Sequence, residues 1–109
     1  MIEVVFSHGK EGSPNGSKSK IIREITHRLE MKFTAIDYIN CNNVDERVDL
    51  LEHTISKINS DIILVGSSMG GYVSAVCSNK NECLGLFLIA PALFLKGYKV
   101  QQYLSLIHI

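Results

Sequence analysis

The chain has few of the features that assign a protein to a class by composition alone. Its 109 residues include three cysteines and no Cys-x-x-Cys pair, which argues against a disulfide framework or a zinc site. Basic and acidic residues each total 11, so the net charge of zero gives no reason to expect nucleic acid or an anionic membrane as partner. No run approaches the roughly 18 apolar residues of a membrane span, and the start lacks the features of a signal peptide. We therefore expect a cytoplasmic protein with free thiols.

The sequence does contain regularly alternating strand-like and helix-like segments. Between the strand-like runs, the chain has apolar residues at helical spacing. This alternation predicts a parallel sheet with crossover helices, and it predicts one domain over residues 1–109. The expected fold class is α/β, a three-layer αβα arrangement with a mainly parallel sheet. The strand-like runs are residues 2–6, 33–39, 61–65 and 84–90.

Two of the helical segments have clear apolar faces. The first covers residues 18–31, and the second runs through to Asn59. Asn43 and Glu46 have the spacing of a capping box, so we expect the second helix to begin there. The predicted face of the first helix consists of Ile21, Ile22, Ile25 and Leu29.

The third strand leads into the pattern Gly-x-Ser-x-Gly at residues 66–70, centred on Ser68. A serine at so sharp a strand-to-helix turn is held in strained backbone geometry, which pushes its hydroxyl clear of the sheet. The two glycines remove side chains that would collide where strand and helix nearly touch. The pattern predicts Ser68 as a catalytic nucleophile. The alternative is a Gly/Ser-rich turn in which Ser68 merely caps the helix.

The loop after the first strand has the position of a second catalytic element. Acyl transfer by a serine needs two N–H donors aimed at the developing oxyanion. One normally follows the nucleophile, and the other comes from a loop after an earlier strand. We predict Met69 as the first donor, and Lys10 or Gly9 as the second. His8 is expected to brace this loop by hydrogen bonding, not to act as the base.

Residues 6–9, 64–71 and 88–92 together resemble the α/β-hydrolase superfamily, in particular its small serine esterases and thioesterases. The resemblance spans nearly the whole chain but only the N-terminal part of a hydrolase domain. It implies a Ser, Asp/Glu, His triad in that order, no cofactor or metal, and a small-molecule ester or thioester substrate. Ser68 matches the nucleophile, whereas neither Glu82 nor His108 matches a partner. We therefore expect the 109-residue chain itself to be inactive, with the acid and histidine missing from it.

The last six residues, 104–109, match one translated frame of a common transposon-end sequencing adapter. This match predicts that the natural sequence stops near Tyr103. The alternative is that the segment, which is apolar and β-prone, begins a genuine further strand. Under either interpretation, His108 is not expected to serve as the triad base.

Two residues are candidates for substrate contact. Tyr38 closes the second predicted strand, at the edge of the sheet where ligands of α/β proteins usually bind. Leu93 follows the fourth predicted strand and is expected to line an acyl pocket. The alternatives are a Tyr38 ring that packs with its hydroxyl in water, and a Leu93 that packs against a further part of the domain.

Two other functional classes stay open. Residues 12–19 nearly fit the phosphate-binding pattern Gly-x4-Gly-Lys-Ser, although Ser17 stands where the second glycine is needed. The chain could therefore be a P-loop-like nucleotide-binding protein. It could also be a non-catalytic, hydrolase-like module, because the sequence provides no evident base for Ser68.

Overall fold

The computed structural model describes residues 1–10 and 12–89, together with the backbone of 107–108. These residues form a sheet in the order β2-β1-β3-β4-β5, and every pair of neighbouring strands is parallel. The strands are β1 (Ile2–Ser7), β2 (Lys32–Ile36), β3 (Asp61–Ser67), β4 (Gly85–Ile89) and β5 (Ile107–His108). The helices are α1 (Ser17–Arg28), α2 (Val44–Ser56) and α3 (Met69–Lys80).

The alternation of side chains along the strands produces two cores. In β1, Val5 faces one core, whereas Val4 and Phe6 face the other. The larger core lies under α2 and α3, and the smaller one is shared with α1. The predicted α/β class with helices on both faces of a parallel sheet is confirmed. The origin of residues 104–109 stays a prediction.

Helix α1 packs through a different face from the one its apolar stripe predicts. Ser19 and Thr26 are buried, and Ile22 packs between them against the smaller core. Burial of the two hydroxyls is tolerated because they donate to the carbonyls of Pro14 and Arg23. The other apolar residues of the predicted face, Ile21, Ile25 and Leu29, are exposed.

Helix α2 begins as the sequence predicts. The Asn43 side chain accepts a hydrogen bond of 2.9 Å from the Glu46 N–H. The Glu46 carboxylate in turn accepts from the Asn42 N–H, one residue before the cap. The helix ends at Ser56, three residues before the predicted end.

Replacing Asn43 with alanine removes this cap and is expected to lower the free energy of unfolding by about 1 kcal/mol. Urea denaturation followed by circular dichroism measures the change. Asn40→Ala is the matched control, because Asn40 is an exposed asparagine in the preceding turn. A loss as large in the control as in Asn43→Ala would contradict the capping role.

The sheet brings the ends of β1 and β3 side by side. Ser7, the last residue of β1, is in register with Gly66 of β3. The loop after β1 and the turn after β3 therefore leave the same edge of the sheet next to each other. This edge carries the candidate site.

Candidate active site

Ser68 lies at the junction of β3 and α3 in an uncommon backbone conformation. Its φ of 54° and ψ of −119° lie outside the helical region, and its side chain is exposed. The Ser68 N–H donates to the carbonyl of Ile89 at 3.1 Å, and the Ser68 carbonyl accepts from the Gly71 N–H at 2.9 Å. Such strain persists where the surroundings hold it, here through hydrogen bonds to β4 and to α3. The hydroxyl therefore points away from the core.

The two glycines of the pattern allow a very close approach of backbone to backbone. A Cβ on Gly66 would lie 2.5 Å from the carbonyl carbon of Gly70 and 2.7 Å from the Cα of Gly71. A Cβ on Gly70 would overlap the carbonyl oxygen of Ser7 and lie 2.7 Å from that of His8. The first turn of α3 consequently sits directly against the end of β1.

The loop after β1 passes beside the Ser68 hydroxyl. A Cβ placed on Gly9 would be 3.7 Å from Ser68 Oγ. Among the hydrogen bonds between described residues, none uses the N–H of Gly9 or of Lys10. Met69 is the first residue of α3, where N–H groups have no partner within the helix. The predicted donors thus lie on the two segments that flank the hydroxyl.

An open cleft of about 360 Å³ lies beside Ser68, within the size range of small-molecule sites. Lys18, at the start of α1, donates to Ser67 Oγ across it at 3.1 Å. Ser67 itself is buried, in contrast to its neighbour Ser68. The cleft is lined in part by His8, Gly9, Lys10, Lys18, Ser67 and Ser68.

His8 uses both of its ring nitrogens within the protein. Its Nε2 accepts the N–H of Tyr38 at 3.0 Å, so the proton of a neutral ring must be on Nδ1. That Nδ1 donates to the carbonyl of Gly9 at 2.6 Å. A histidine held in this way braces the loop and has no free nitrogen with which to take a proton from Ser68.

Tyr38 does not line the cleft beside Ser68, but it contributes to a second cleft that Lys10 and Met69 also line. It is 1% exposed, and its hydroxyl shares a hydrogen bond of 2.5 Å with the Ser7 hydroxyl. Burial raises the pKa of this phenol well above its usual value. The phenol of Tyr38 therefore belongs to the core, and substrate contact by this residue stays a prediction. The residue lies beyond the end of β2, where the chain turns inward under the loop after β1.

The other predicted candidates lie elsewhere. Leu93 is outside the described residues. Glu82 is exposed before β4, at the edge of the sheet opposite Ser68. The backbone of His108 pairs with that of Leu88 in β4.

The cysteine inside α3 has the properties of a core residue. Cys77 is fully buried, and its thiol donates to the carbonyl of Val48 at 3.7 Å. Burial, with the Glu52 carboxylate as a secondary cause, raises the pKa of the Cys77 thiol to about 12. Because the thiolate is the reactive form, this thiol is inert near neutral pH.

We expect iodoacetamide at pH 8 to alkylate the half-buried Cys41 in the folded chain and to leave Cys77 unmodified. At pH 8, four pH units below its pKa, only about one Cys77 in 10⁴ is ionised. Peptide mass spectrometry measures both sites, and alkylation in urea is the control in which both react. Equal modification of the two cysteines in the folded chain would contradict this account.

The segment that resembles a P-loop has its polar side chains engaged elsewhere. In a P-loop, the lysine reaches the phosphates and the final Ser or Thr binds magnesium. Here Lys18 donates to Ser67 Oγ, and Ser19 is buried with its hydroxyl 2.5 Å from the Pro14 carbonyl. This arrangement does not favour the nucleotide-binding interpretation.

The described residues contain neither a cluster of metal ligands nor a membrane-spanning helix. No group of three or more His, Cys, Asp or Glu side chains there is placed to hold a metal ion. Within the same part of the chain, no helix is both long enough and apolar enough to cross a bilayer.

The sequence model of an uncharacterised protein family, UPF0227, matches residues 3–104. The chain belongs to this family. No curated protein matches it.

Solved structures match the fold of the chain closely. A proposed hydrolase of the alpha/beta superfamily from Xanthomonas campestris is 21% identical, with a TM-score of 0.86 over 97% of this chain and 70% of that one. Mouse alpha/beta hydrolase domain-containing protein 10 is 25% identical, with a TM-score of 0.71 over 83% and 41%. A pyrethroid hydrolase from Sphingobium faniae is 14% identical, with a TM-score of 0.66 over 90% and 43%.

These matches show that the chain has the α/β-hydrolase superfamily fold. It corresponds to the N-terminal portion of longer chains, and it spans less than half of the mouse and Sphingobium proteins. The predicted resemblance to this superfamily is confirmed.

Proposed function

We propose that the whole protein is a serine hydrolase that cleaves carboxylic esters or thioesters through an acyl-enzyme on Ser68. The observation that carries this proposal is the exposed hydroxyl of Ser68, held at a φ of 54° between a strand end and a helix N-terminus. The closeness of the Gly9 backbone to Ser68 supports the same chemistry, because acyl transfer by a serine needs N–H donors beside the nucleophile.

In the first half of the proposed reaction, Ser68 Oγ attacks the acyl carbon while a base takes its proton. The negative charge that develops on the carbonyl oxygen is stabilised by the N–H of Met69 and that of Lys10 or Gly9. The positive end of the α3 dipole acts on the same charge. Collapse of the tetrahedral species breaks the bond to the alcohol or thiol, which leaves with the proton.

In the second half, a water molecule gives up a proton to the same base and attacks the acyl carbon. The acyl–Ser68 bond then breaks, the hydroxyl recovers its proton, and the carboxylic acid is released. No metal or organic cofactor takes part in this scheme.

The base and its orienting acid are proposed to lie in a part of the whole protein outside these 109 residues. Both nitrogens of His8 are occupied. His27 and His53 stand near the C-terminal ends of α1 and α2, which return to the opposite edge of the sheet. The named hydrolases are only 14–25% identical to this chain, so the matches support the fold and not the activity. The proposed function therefore rests on the geometry of the site.

The test is pre-steady-state hydrolysis of p-nitrophenyl acetate and of an acyl thioester by the product of the complete open reading frame. We expect a burst of about one p-nitrophenolate per chain and a matching acyl adduct in the intact mass. The 109-residue chain, as the comparison, is expected to give no turnover. Turnover without an acyl adduct would contradict the proposal, and magnesium-dependent nucleotide binding would favour the nucleotide-binding alternative.

A further inference from the structure

Arg47 of α2 lies beneath the loop that follows β1. It is only 6% exposed, although it carries a permanent charge. Its Nη1 donates to the carbonyl of His8 at 2.9 Å, and its Nη2 lies 3.4 Å from the carbonyl of Gly9. The guanidinium also stacks on the ring of Tyr38, 4.9 Å from its centroid. One side chain thus holds two consecutive carbonyls of the loop.

Because the peptide bond is planar, the contacts of Arg47 with the two carbonyls also fix the directions of the N–H groups that follow them. The C=O of His8 and the N–H of Gly9 belong to one trans peptide, so they point in opposite directions. The same holds for the C=O of Gly9 and the N–H of Lys10. Because Arg47 draws both carbonyls toward α2, it turns both N–H groups away from α2. The backbone of Gly9 lies beside Ser68, since a Cβ placed on Gly9 would be 3.7 Å from Ser68 Oγ.

The second of these peptides is held by further donors. The Gly9 carbonyl also accepts from His8 Nδ1 at 2.6 Å and from the Gly12 N–H at 3.2 Å. Tyr38 fixes the orientation of His8 through its own N–H and stacks under Arg47. The Gly9–Lys10 peptide, which carries the Lys10 N–H, is therefore fixed by three groups.

Burying a guanidinium is costly unless its hydrogen-bonding groups are satisfied. A neutral side chain would join α2 to the loop at a lower cost in desolvation. The fork of an arginine, in contrast, can bind two carbonyls at once and set the plane of both peptides.

We propose that Arg47 is a positioning residue that orients the Gly9 and Lys10 N–H groups for the oxyanion, an inference that rests on the proposed function. It does not touch the substrate. It acts by preorganising the donors, so its contribution is made in the transition state. Lysine at this position offers one nitrogen and cannot replace the fork.

The first test measures ester hydrolysis by the complete protein with Arg47→Lys and Arg47→Met. We expect kcat to fall by about tenfold to a hundredfold in both, with KM changed less than about threefold, because the donors act mainly on the transition state. Arg23→Met is the matched control, since Arg23 also stacks on a ring, that of Phe33, but is remote from the loop. It is expected to keep the wild-type kcat.

The second test needs no variant and applies even if the Arg47 variants fail to fold. In ¹⁵N-labelled wild-type protein, a phosphonate adduct on Ser68 is expected to slow hydrogen exchange of the Gly9 and Lys10 amides at least tenfold. An adduct that leaves both amides unprotected would overturn the inference, as would a folded Arg47→Met protein with the wild-type kcat. Absence of any adduct on Ser68 would instead refute the proposed function.

Discussion

Replacing Ser68 with alanine is expected to lower kcat/KM of the whole protein for esters by about 10⁴-fold or more. The substitution removes the atom that forms the acyl-enzyme, while the N–H groups of Gly9, Lys10 and Met69 stay in place. Only the residual rate due to binding and oxyanion stabilisation then remains. Steady-state hydrolysis of p-nitrophenyl acetate measures this loss.

Ser67 provides the matched control for this substitution. It is the preceding residue in the chain, but it is 4% exposed and accepts a hydrogen bond from Lys18. We expect Ser67→Ala to lower kcat/KM by less than about tenfold, since its hydroxyl does not form the acyl bond. Similar losses in both variants would mean that the turn, and not the hydroxyl of Ser68, determines activity.

Replacing Gly70 with alanine is expected to destabilise the fold by more than about 4 kcal/mol, which in a chain of this size can prevent folding. The added methyl group would overlap the Ser7 carbonyl group and crowd that of His8. Both neighbours are backbone, so a side-chain rotation cannot relieve the clash. The whole first turn of α3 would have to move away from β1.

Urea denaturation, or the yield of folded protein, measures this effect. Gly85→Ala is the matched control, because a Cβ there meets only the ring of Phe87 at 3.4 Å, an ordinary contact. The control is expected to unfold within about 1 kcal/mol of the wild type. A Gly70→Ala chain of wild-type stability would contradict the close packing of α3 on β1.

The elements that could be predicted from sequence are those whose causes are local. Gly66 and Gly70 flank Ser68 at positions where a side chain would clash in a sharp strand-to-helix turn. This requirement involves only five residues, so the spacing indicates the turn by itself. The cap of α2 is equally local, because Asn43 and Glu46 are three residues apart. The alternation of strands and helices then predicts the parallel sheet, whereas the pairing of β1 with β3, which brings the loop after β1 beside the turn, is seen only in the structure.

The features that could not be predicted depend on partners distant in the sequence. Tyr38 bonds to Ser7, and Arg47 binds the carbonyl of His8, across separations of 31 and 39 positions. One signal for Arg47 was present, since it immediately precedes Val48 on the apolar side of α2. A charged residue at a buried helical position indicates a specific partner but does not say which one.

The packed face of the first helix could not be predicted from the sequence for a different reason. The periodicity of its apolar residues predicts an amphipathic helix but not which side of it contacts the sheet. Ser19 and Thr26 can be buried because their hydroxyls bond to nearby carbonyls. Ile21 and Ile25 consequently lie on the exposed side. The hydrophobic pattern alone could not show that these local hydrogen bonds would allow the face with Ser19 and Thr26 to pack against the sheet.

The central claim, that the hydroxyl of Ser68 is the nucleophile, is tested most directly by locating the adduct of a fluorophosphonate. The complete protein is treated with the reagent, digested and sequenced by mass spectrometry, with the Ser67→Ala and Ser68→Ala variants in parallel. We predict one adduct, on Ser68, which persists in Ser67→Ala and disappears in Ser68→Ala. An adduct on another serine, or labelling that survives in Ser68→Ala, would contradict the account.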